Sequence, residues 1–501
     1  MSNHLFDQIV ARMPGSECSF ITLNDGRNVT YGAVMTGSAQ LAHVLTAAGV
    51  KPGDRVAVQV EKSAEAIQLY LACLRAGAVF LPLNTAYTTA ELAYFLGDAK
   101  PSLVICDPAR REAIAAIAGD ACLETLDAAG QGSLMHRAAG QATAFVDVLR
   151  GPDAIAAILY TSGTTGRSKG AMLSHANLAS NAQTLKDCWH FTEDDVLLHA
   201  LPIFHTHGLF VATNVILFAG ASMLFLPRLD LDVMFRLMPQ ATSMMGVPTF
   251  YLRLLQDKRL TRQSVEHMRL FISGSAPLLA ETHRDWQART GHAILERYGM
   301  TETNMNTSNP YQGERIAGTV GFALPDVTLR VCEPETGELL SVDQIGMIEV
   351  KGPNVFKGYW QNPEKTKAEF RADGFFITGD LGKIDAKGYV HIVGRGKDLI
   401  ITGGYNVYPK EVESEIDAMP DVVESAVIGL PHKDFGEGVT AVVVAKPGAR
   451  LEPAAILHAL ETRLARFKLP KRLIIVNELP RNSMGKVQKN VLRETYRDLY
   501  C

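Results

Sequence analysis

The stretch Tyr160-Thr161-Ser162-Gly163-Thr164-Thr165-Gly166-Arg167-Ser168-Lys169-Gly170 decides how the rest of the chain is read. An apolar run of strand length, 154–159, leads into it, and Ser174, a residue type that caps helices, follows it. Its glycines let backbone approach a ligand closely, its hydroxyls donate hydrogen bonds, and Lys169 supplies charge. Phosphate oxygens take all three. Many small residues in a row are ordinarily a flexible surface loop. A run this dense, directly after a buried strand, points instead to a phosphate cradle. It is not a Walker A loop, because glycine rather than Ser or Thr follows Lys169.

Working outward, apolar runs at 55–60, 79–83, 196–201, 243–247 and 270–273 alternate with helix-length segments such as 66–76. That is the pattern of a parallel α/β sheet with helices on its faces. After Gly318 the strands at 327–332, 347–351 and 389–393 are short, alternating and separated by turn residues, which predicts an antiparallel or barrel-like part. A second change comes at Gly394-Arg395-Gly396-Lys397-Asp398. Beyond it, helices at 409–418 and 453–467 and strands at 422–428, 439–444 and 472–476 predict a small α+β unit, with Pro409 at a first helical position. The expected division is 1–394 and 395–501.

The chain has 501 residues, 47% of them hydrophobic, enough for a large core and a second, smaller one. A net charge of −4 argues against a nucleic-acid partner. Cys18, Cys73, Cys106, Cys122, Cys188, Cys332 and Cys501 form no C-x-x-C pair, so neither zinc nor a disulfide framework is expected, and a reducing cytoplasmic setting fits. The N-terminus has no signal-peptide core. The uncharged stretch 206–227 has membrane length, but Thr213 and Asn214 interrupt it and Gly220 follows. It reads as a buried helix, a glycine turn and a strand, not a membrane span.

The opening loop resembles the phosphate-binding signature of the adenylate-forming superfamily, which holds acyl-CoA synthetases, peptide-synthetase adenylation domains and firefly-type luciferases. Five more segments resemble that family's motifs in family order. Gly274-Ser275-Ala276-Pro277 resembles the segment lining adenine. Tyr298-Gly299-Met300-Thr301-Glu302 resembles the motif that sets an aromatic ring by adenine and a carboxylate on Mg²⁺. Thr378-Gly379-Asp380 resembles the ribose turn, and Gly394 to Asp398 the hinge. Asn482-Ser483-Met484-Gly485-Lys486 resembles the catalytic-lysine loop, with Met484 where the family often has a small residue.

The resemblance implies a two-step ligase using ATP, Mg²⁺ and coenzyme A. A carboxylate first attacks the α-phosphate of ATP, and a thiol then displaces AMP. It implies that Lys486 bridges carboxylate and α-phosphate, that Glu302 holds Mg²⁺, and that Thr161 and Lys169 serve the phosphates with Ser162, Gly163, Thr164, Thr165 and Gly166. Asp380 and Arg395 are implied at the ribose, Lys397 at the hinge, and 402–406 in a loop that shapes the thiol tunnel once the C-terminal unit turns. It also implies a lysine acetyltransferase and deacetylase acting on Lys486, where acetylation removes the charge.

For the acid, the family pocket lies near 203–208, near 247–251, and around Ser273 and Tyr298. Arg253 stands one helical turn beyond Thr249, and an arginine there suits a second carboxylate. His205 and Ser275 add donors, and Thr206 and Met305 bound the space between the two carboxylates; Arg284 is the runner-up anchor. The sequence as a whole resembles bacterial malonyl-CoA synthetases, which implies malonate or methylmalonate as the acid. The alternatives are another short or aryl acid, or a free-standing adenylation domain loading a carrier protein; an oxygenase and a non-catalytic nucleotide-binding protein are further rivals. His205 and His207 are spaced for a metal pair, but no third ligand is near, so none is expected.

Overall fold

The computed structural model of the chain describes residues 3–161, 168–482 and 485–500, and the structural statements below concern these. Two sheets carry the bulk of the molecule. The first runs Cys122–Thr125, Leu103–Cys106, Arg55–Gln59, Val79–Pro82, Ile155–Thr161, Lys169–Ser174. All its pairs are parallel except the last. The second has nine strands, with Ser222–Phe225, Val196–His199, Ser243–Gly246, Leu270–Ser273 and Leu295–Met300 parallel through its centre. One continuous apolar core joins the two.

Local sequence explains the elements between them. Helix Ala64–Ala76 starts where the Ser63 hydroxyl accepts the Ala66 N–H, and stops at Gly77, whose φ of 70° is left-handed. Every residue of it but Glu65 is buried, as expected of a helix that is apolar all round. The stretch 206–227 becomes a π-helical turn, His207–Thr213, then helix Asn214–Ala219, a left-handed Gly220 and strand Ser222–Phe225. Among the described residues, no helix is long and apolar enough to cross a membrane.

Two expectations change in detail. A strand, Lys169–Ser174, intervenes between the glycine loop and the helix His175–Cys188, which Ser174 and Asn177 open with a reciprocal cap. The helix expected at 453–467 ends at Glu461, and only a short 3₁₀ turn, Arg466–Lys468, follows.

Four antiparallel strands, Thr328–Cys332, Gly346–Lys351, Phe376–Ile384 and Val390–Arg395, form the third sheet, in an open order. Residues beyond it bury apolar side chains on both faces of a fourth sheet. Val427 and Val443 face one core; Ala426, Ile428 and Val442 face the other.

Candidate active site

Thr161 and Lys169 stand opposite each other on paired strands, so the stems of the glycine loop meet. Ser162, Gly163, Thr164, Thr165 and Gly166 lie outside the described residues, as do Ser483 and Met484. Tyr94 donates its hydroxyl to the Ser168 carbonyl at 2.8 Å, which ties down one stem.

Glu302 is buried next to these stems. Its Oε1 lies 3.4 Å from the Thr161 hydroxyl and 3.2 Å from that of Tyr359. Tyr359 has one proton to give, and its 2.6 Å contact with Glu369 is the shorter. Lys169 Nζ is 3.8 Å from Glu369 and 5.1 Å from the centre of the Tyr359 ring. Glu302 has no cation at ion-pair distance among the described residues, and burial raises its pKa above the usual carboxylate value although the Arg395 charge opposes. A buried carboxylate short of positive charge, beside a hydroxyl, fits a hard divalent cation.

Around the expected nucleotide site the polar groups satisfy one another. Asp380 and Arg395 are direct partners across adjacent strands. Arg395 Nε donates to Asp380 Oδ1 at 2.8 Å, and the Tyr298 hydroxyl donates to Oδ2 at 2.6 Å. Burial, followed by the Asp380 charge, holds the Tyr298 phenol protonated far above its ordinary pKa. Ala276 is half-buried and Pro277 exposed alongside; Thr301, half-buried, follows Gly299 and Met300 out of the strand.

The acid side is different. Arg297 is 3% exposed, and its Nε and Nη2 have no partner among the described residues. Burial pulls its pKa down to about 9. A β-carbon on Gly274 would lie 2.4 Å from its Cζ, so glycine is what lets the guanidinium lie there. His205 and His207 both feel the Arg297 charge. Burial first and Arg297 second lower both, His205 to about 4. His207 Nδ1 is 3.1 Å from the Ser275 hydroxyl, and Ser275 holds a left-handed φ of 70°, a strained backbone of the kind found at sites. His207 Nε2, Thr206 Oγ1 and Ser273 Oγ are further buried polar atoms without partners. Met305 pairs with Gly299 across neighbouring strands and is buried.

The arginine expected to anchor a second carboxylate, Arg253, is exposed. Helix Pro248–Gln256 buries Pro248, Phe250, Tyr251 and Leu254, whereas Thr249, which shares the Arg253 side, turns toward Gly485. Arg284 is exposed as well. The buried arginine of this region is Arg297, which the sequence reading passed over. Its signal was present: two charged residues, Glu296-Arg297, inside an otherwise buried strand. Tyr359 and Glu369 were also missed, and no spacing in the sequence marks them.

Lys486 follows Gly485, whose φ of 73° turns the chain. It remains solvent-exposed, yet the protein around it lowers its pKa, followed by the Arg395 charge, with Asp380 opposing. Its charge also acts on His205. One ammonium thus lies within electrostatic reach of both the Asp380–Arg395 pair and the acid side. Lys397 is exposed in the turn Gly396–Asp398, and Gly403 and Gly404, both with positive φ, close the hairpin between Ile400–Thr402 and Tyr405–Val407.

The family described as AMP-binding enzyme matches residues 6–360, and the one described as AMP-binding enzyme C-terminal domain matches 411–486. The chain belongs to the AMP-binding enzymes. ATP-bound MatB from Rhodopseudomonas palustris is 64% identical, with 100% of both chains covered and a TM-score of 0.98; against apo MatB the score is 0.87. A malonate–CoA ligase of Arabidopsis thaliana is 33% identical, over 99% of this chain and 91% of its own. A feruloyl-CoA synthase of an Amycolatopsis species is 36% identical, over 94% of each.

Proposed function

We propose that this protein joins malonate to coenzyme A, making a malonyl-adenylate from ATP and releasing pyrophosphate and then AMP. The observation that carries the choice of acid is Arg297, a buried guanidinium with unpartnered N–H groups beside His205, His207 and Ser275. A second carboxylate satisfies that fork, whereas an aryl or alkyl tail would leave the charge buried and unpaired. The malonate–CoA ligase among the relatives supports the same acid. Thr206 and Met305 bound the carbon between the carboxylates, and a 2-methyl group would have to fit against them.

In the first step a carboxylate oxygen of malonate bonds to the α-phosphorus, and the bond to the pyrophosphate oxygen breaks. Arg297 holds the far carboxylate, so the near one is presented to ATP. Lys486, between the two halves of the site, offsets the charge that builds on the α-phosphate as they meet. Thr161, Lys169 and the glycine loop hold the departing pyrophosphate. Glu302 with Thr161 would hold Mg²⁺, which would supply charge neutralisation at the phosphates. In the second step the CoA thiol sulfur bonds to the acyl carbon and AMP leaves with the electron pair. The chain divides at 1–394 and 395–501, and Lys397 is the pivot that withdraws Lys486 and brings in the Gly403-Gly404 hairpin. The protein works in the cytoplasm, and exposed Lys486 is open to acetylation and its reversal, which would stop the first step only.

Pyrophosphate release across a panel of acids, with and without CoA, tests this reading. Malonate gives the highest acid-dependent signal, and CoA turns the product into a thioester. A long-chain or aryl acid outperforming malonate overturns the substrate.

A further inference from the structure

Residues 480–482 and 485–488 pair with one another. Arg481 and Val487 form a bridge, the Gln488 N–H donates to the Pro480 carbonyl at 2.8 Å, and the Lys486 N–H donates to Asn482 Oδ1 at 3.0 Å. These bonds are local. They shape the loop without fixing where it stands on the domain.

Two ion pairs fix that. Arg481 spreads its fork: Nη1 donates to the Gly485 carbonyl at 2.5 Å, and Nη2 donates to the Glu424 carboxylate. Glu424 is on Val422–His432, an eleven-residue strand of the C-terminal sheet. On the other side of the loop, Lys489 Nζ is 2.5 Å from Glu413. Glu413 is buried on helix Pro409–Asp417 and also accepts the Val427 N–H at 2.9 Å, so it is held by that same strand. Exposed surface pairs commonly contribute nothing. Here the side chains are mostly covered, 27% and 17% exposed in one pair, 19% and 9% in the other. Leu479 and Leu492, buried just outside the loop, anchor its ends in the core.

We propose that Arg481 is a positioning residue for adenylation. By linking the carbonyl next to Lys486 to Glu424 on the sheet, its guanidinium sets where the Lys486 ammonium stands. Lys489 and Glu413 brace the far end. Rotation of the whole C-terminal unit leaves this brace intact, because all four residues travel together. The proposal rests on the role given to Lys486 above.

The two half-reactions separate the possibilities in the full-length enzyme. Malonate-dependent ATP–pyrophosphate exchange reads adenylation, and thioester formation from supplied malonyl-adenylate reads the second step. Arg481→Met lowers the exchange kcat by about tenfold or more. KM for ATP and malonate, and thioester formation, stay within about twofold. Arg481→Lys, which keeps the charge but not the fork, falls between. Folded Arg481→Met with normal exchange, or equal loss in both halves, overturns the proposal. If Arg481→Met does not fold, Glu424→Gln, which keeps the shape of its partner, is held to the same criteria. Lys486→Ala is the control. Exchange surviving in Lys486→Ala removes the reading of Lys486 and the brace with it, whereas exchange abolished there but normal in Arg481→Met removes the brace alone.

Discussion

The nucleotide side and the acid side of the site are built on opposite principles. Tyr298, Asp380 and Arg395 hold one another in a connected set, with both Asp380 oxygens partnered inside the protein. Arg297, His207, Thr206 and Ser273 sit on the acid side with buried polar atoms that nothing in the described protein satisfies. A connected set is in register before the ligand arrives and loses little when it leaves. An open set lowers stability until an anion comes, and returns that energy as selectivity, because only a ligand with the matching charge relieves it. ATP is common to all acids, so its side needs order. On the proposed reading the acid is what must be discriminated, and the unpartnered atoms lie on its side.

The largest test of that contrast is Arg297→Met. Removing the buried anchor lowers kcat/KM for malonate by about a thousandfold, in the range of a lost buried charge pair. KM for ATP moves by less than about twofold. Steady-state kinetics with both substrates varied checks this, and a parallel rise in both KM values would erase the contrast. Asp380→Asn is next. It keeps the shape but breaks the charge of the connected set, leaving Arg395 underpaired, and raises KM for ATP by about tenfold with malonate little affected.

A third test asks whether unmet demand on the acid-side strand lowers stability. Glu296, next to Arg297, is buried, and burial raises its pKa to about 8. Between pH 4.5 and 8 the folded protein keeps a proton that the unfolded chain releases, so this group's contribution is whole below about pH 4.5 and lost as pH rises toward 8. Glu296→Gln, with no proton to hold, is more stable than the native protein by a margin that widens over this window, to on the order of 3 kcal/mol at pH 8. Denaturant unfolding at pH 5 and pH 8 measures it, and a constant margin would contradict it. The smallest effect is expected at Arg253→Leu. An exposed arginine near the site attracts a dianion but is not buried against it, so KM for malonate rises by about threefold or less. A loss matching that of Arg297→Met would return the anchor role to Arg253.

The segments expected at the nucleotide are easier to mark in the sequence than those expected at the acid, for a physical reason. Phosphate and ribose recognition uses backbone freedom and short polar turns, which leave compact local signatures such as the loop at 160–170 and the Asp380 turn. The Ser174 cap and the paired stems at Thr161 and Lys169 follow from such local chemistry. Acid recognition is assembled from distant segments. Helical spacing correctly put Arg253 on the side of Thr249, but spacing does not say which side of a helix meets the core. Arg297 was hidden for the reverse reason: it lies inside a motif already assigned to the nucleotide. Tyr359 and Glu369 reach Glu302 only because the chain brings 359–369 back across the loop stems.

The contact between Gly274 and Arg297 has a consequence for how such an enzyme changes its diet over generations. The backbone at Gly274 and the guanidinium of Arg297 share one space, so a change at one bears on the other. A side chain at 274 would press on the guanidinium and make it shift, so the guanidinium in its present place favours glycine there. Loss of Arg297 would remove that pressure and leave position 274 freer to vary.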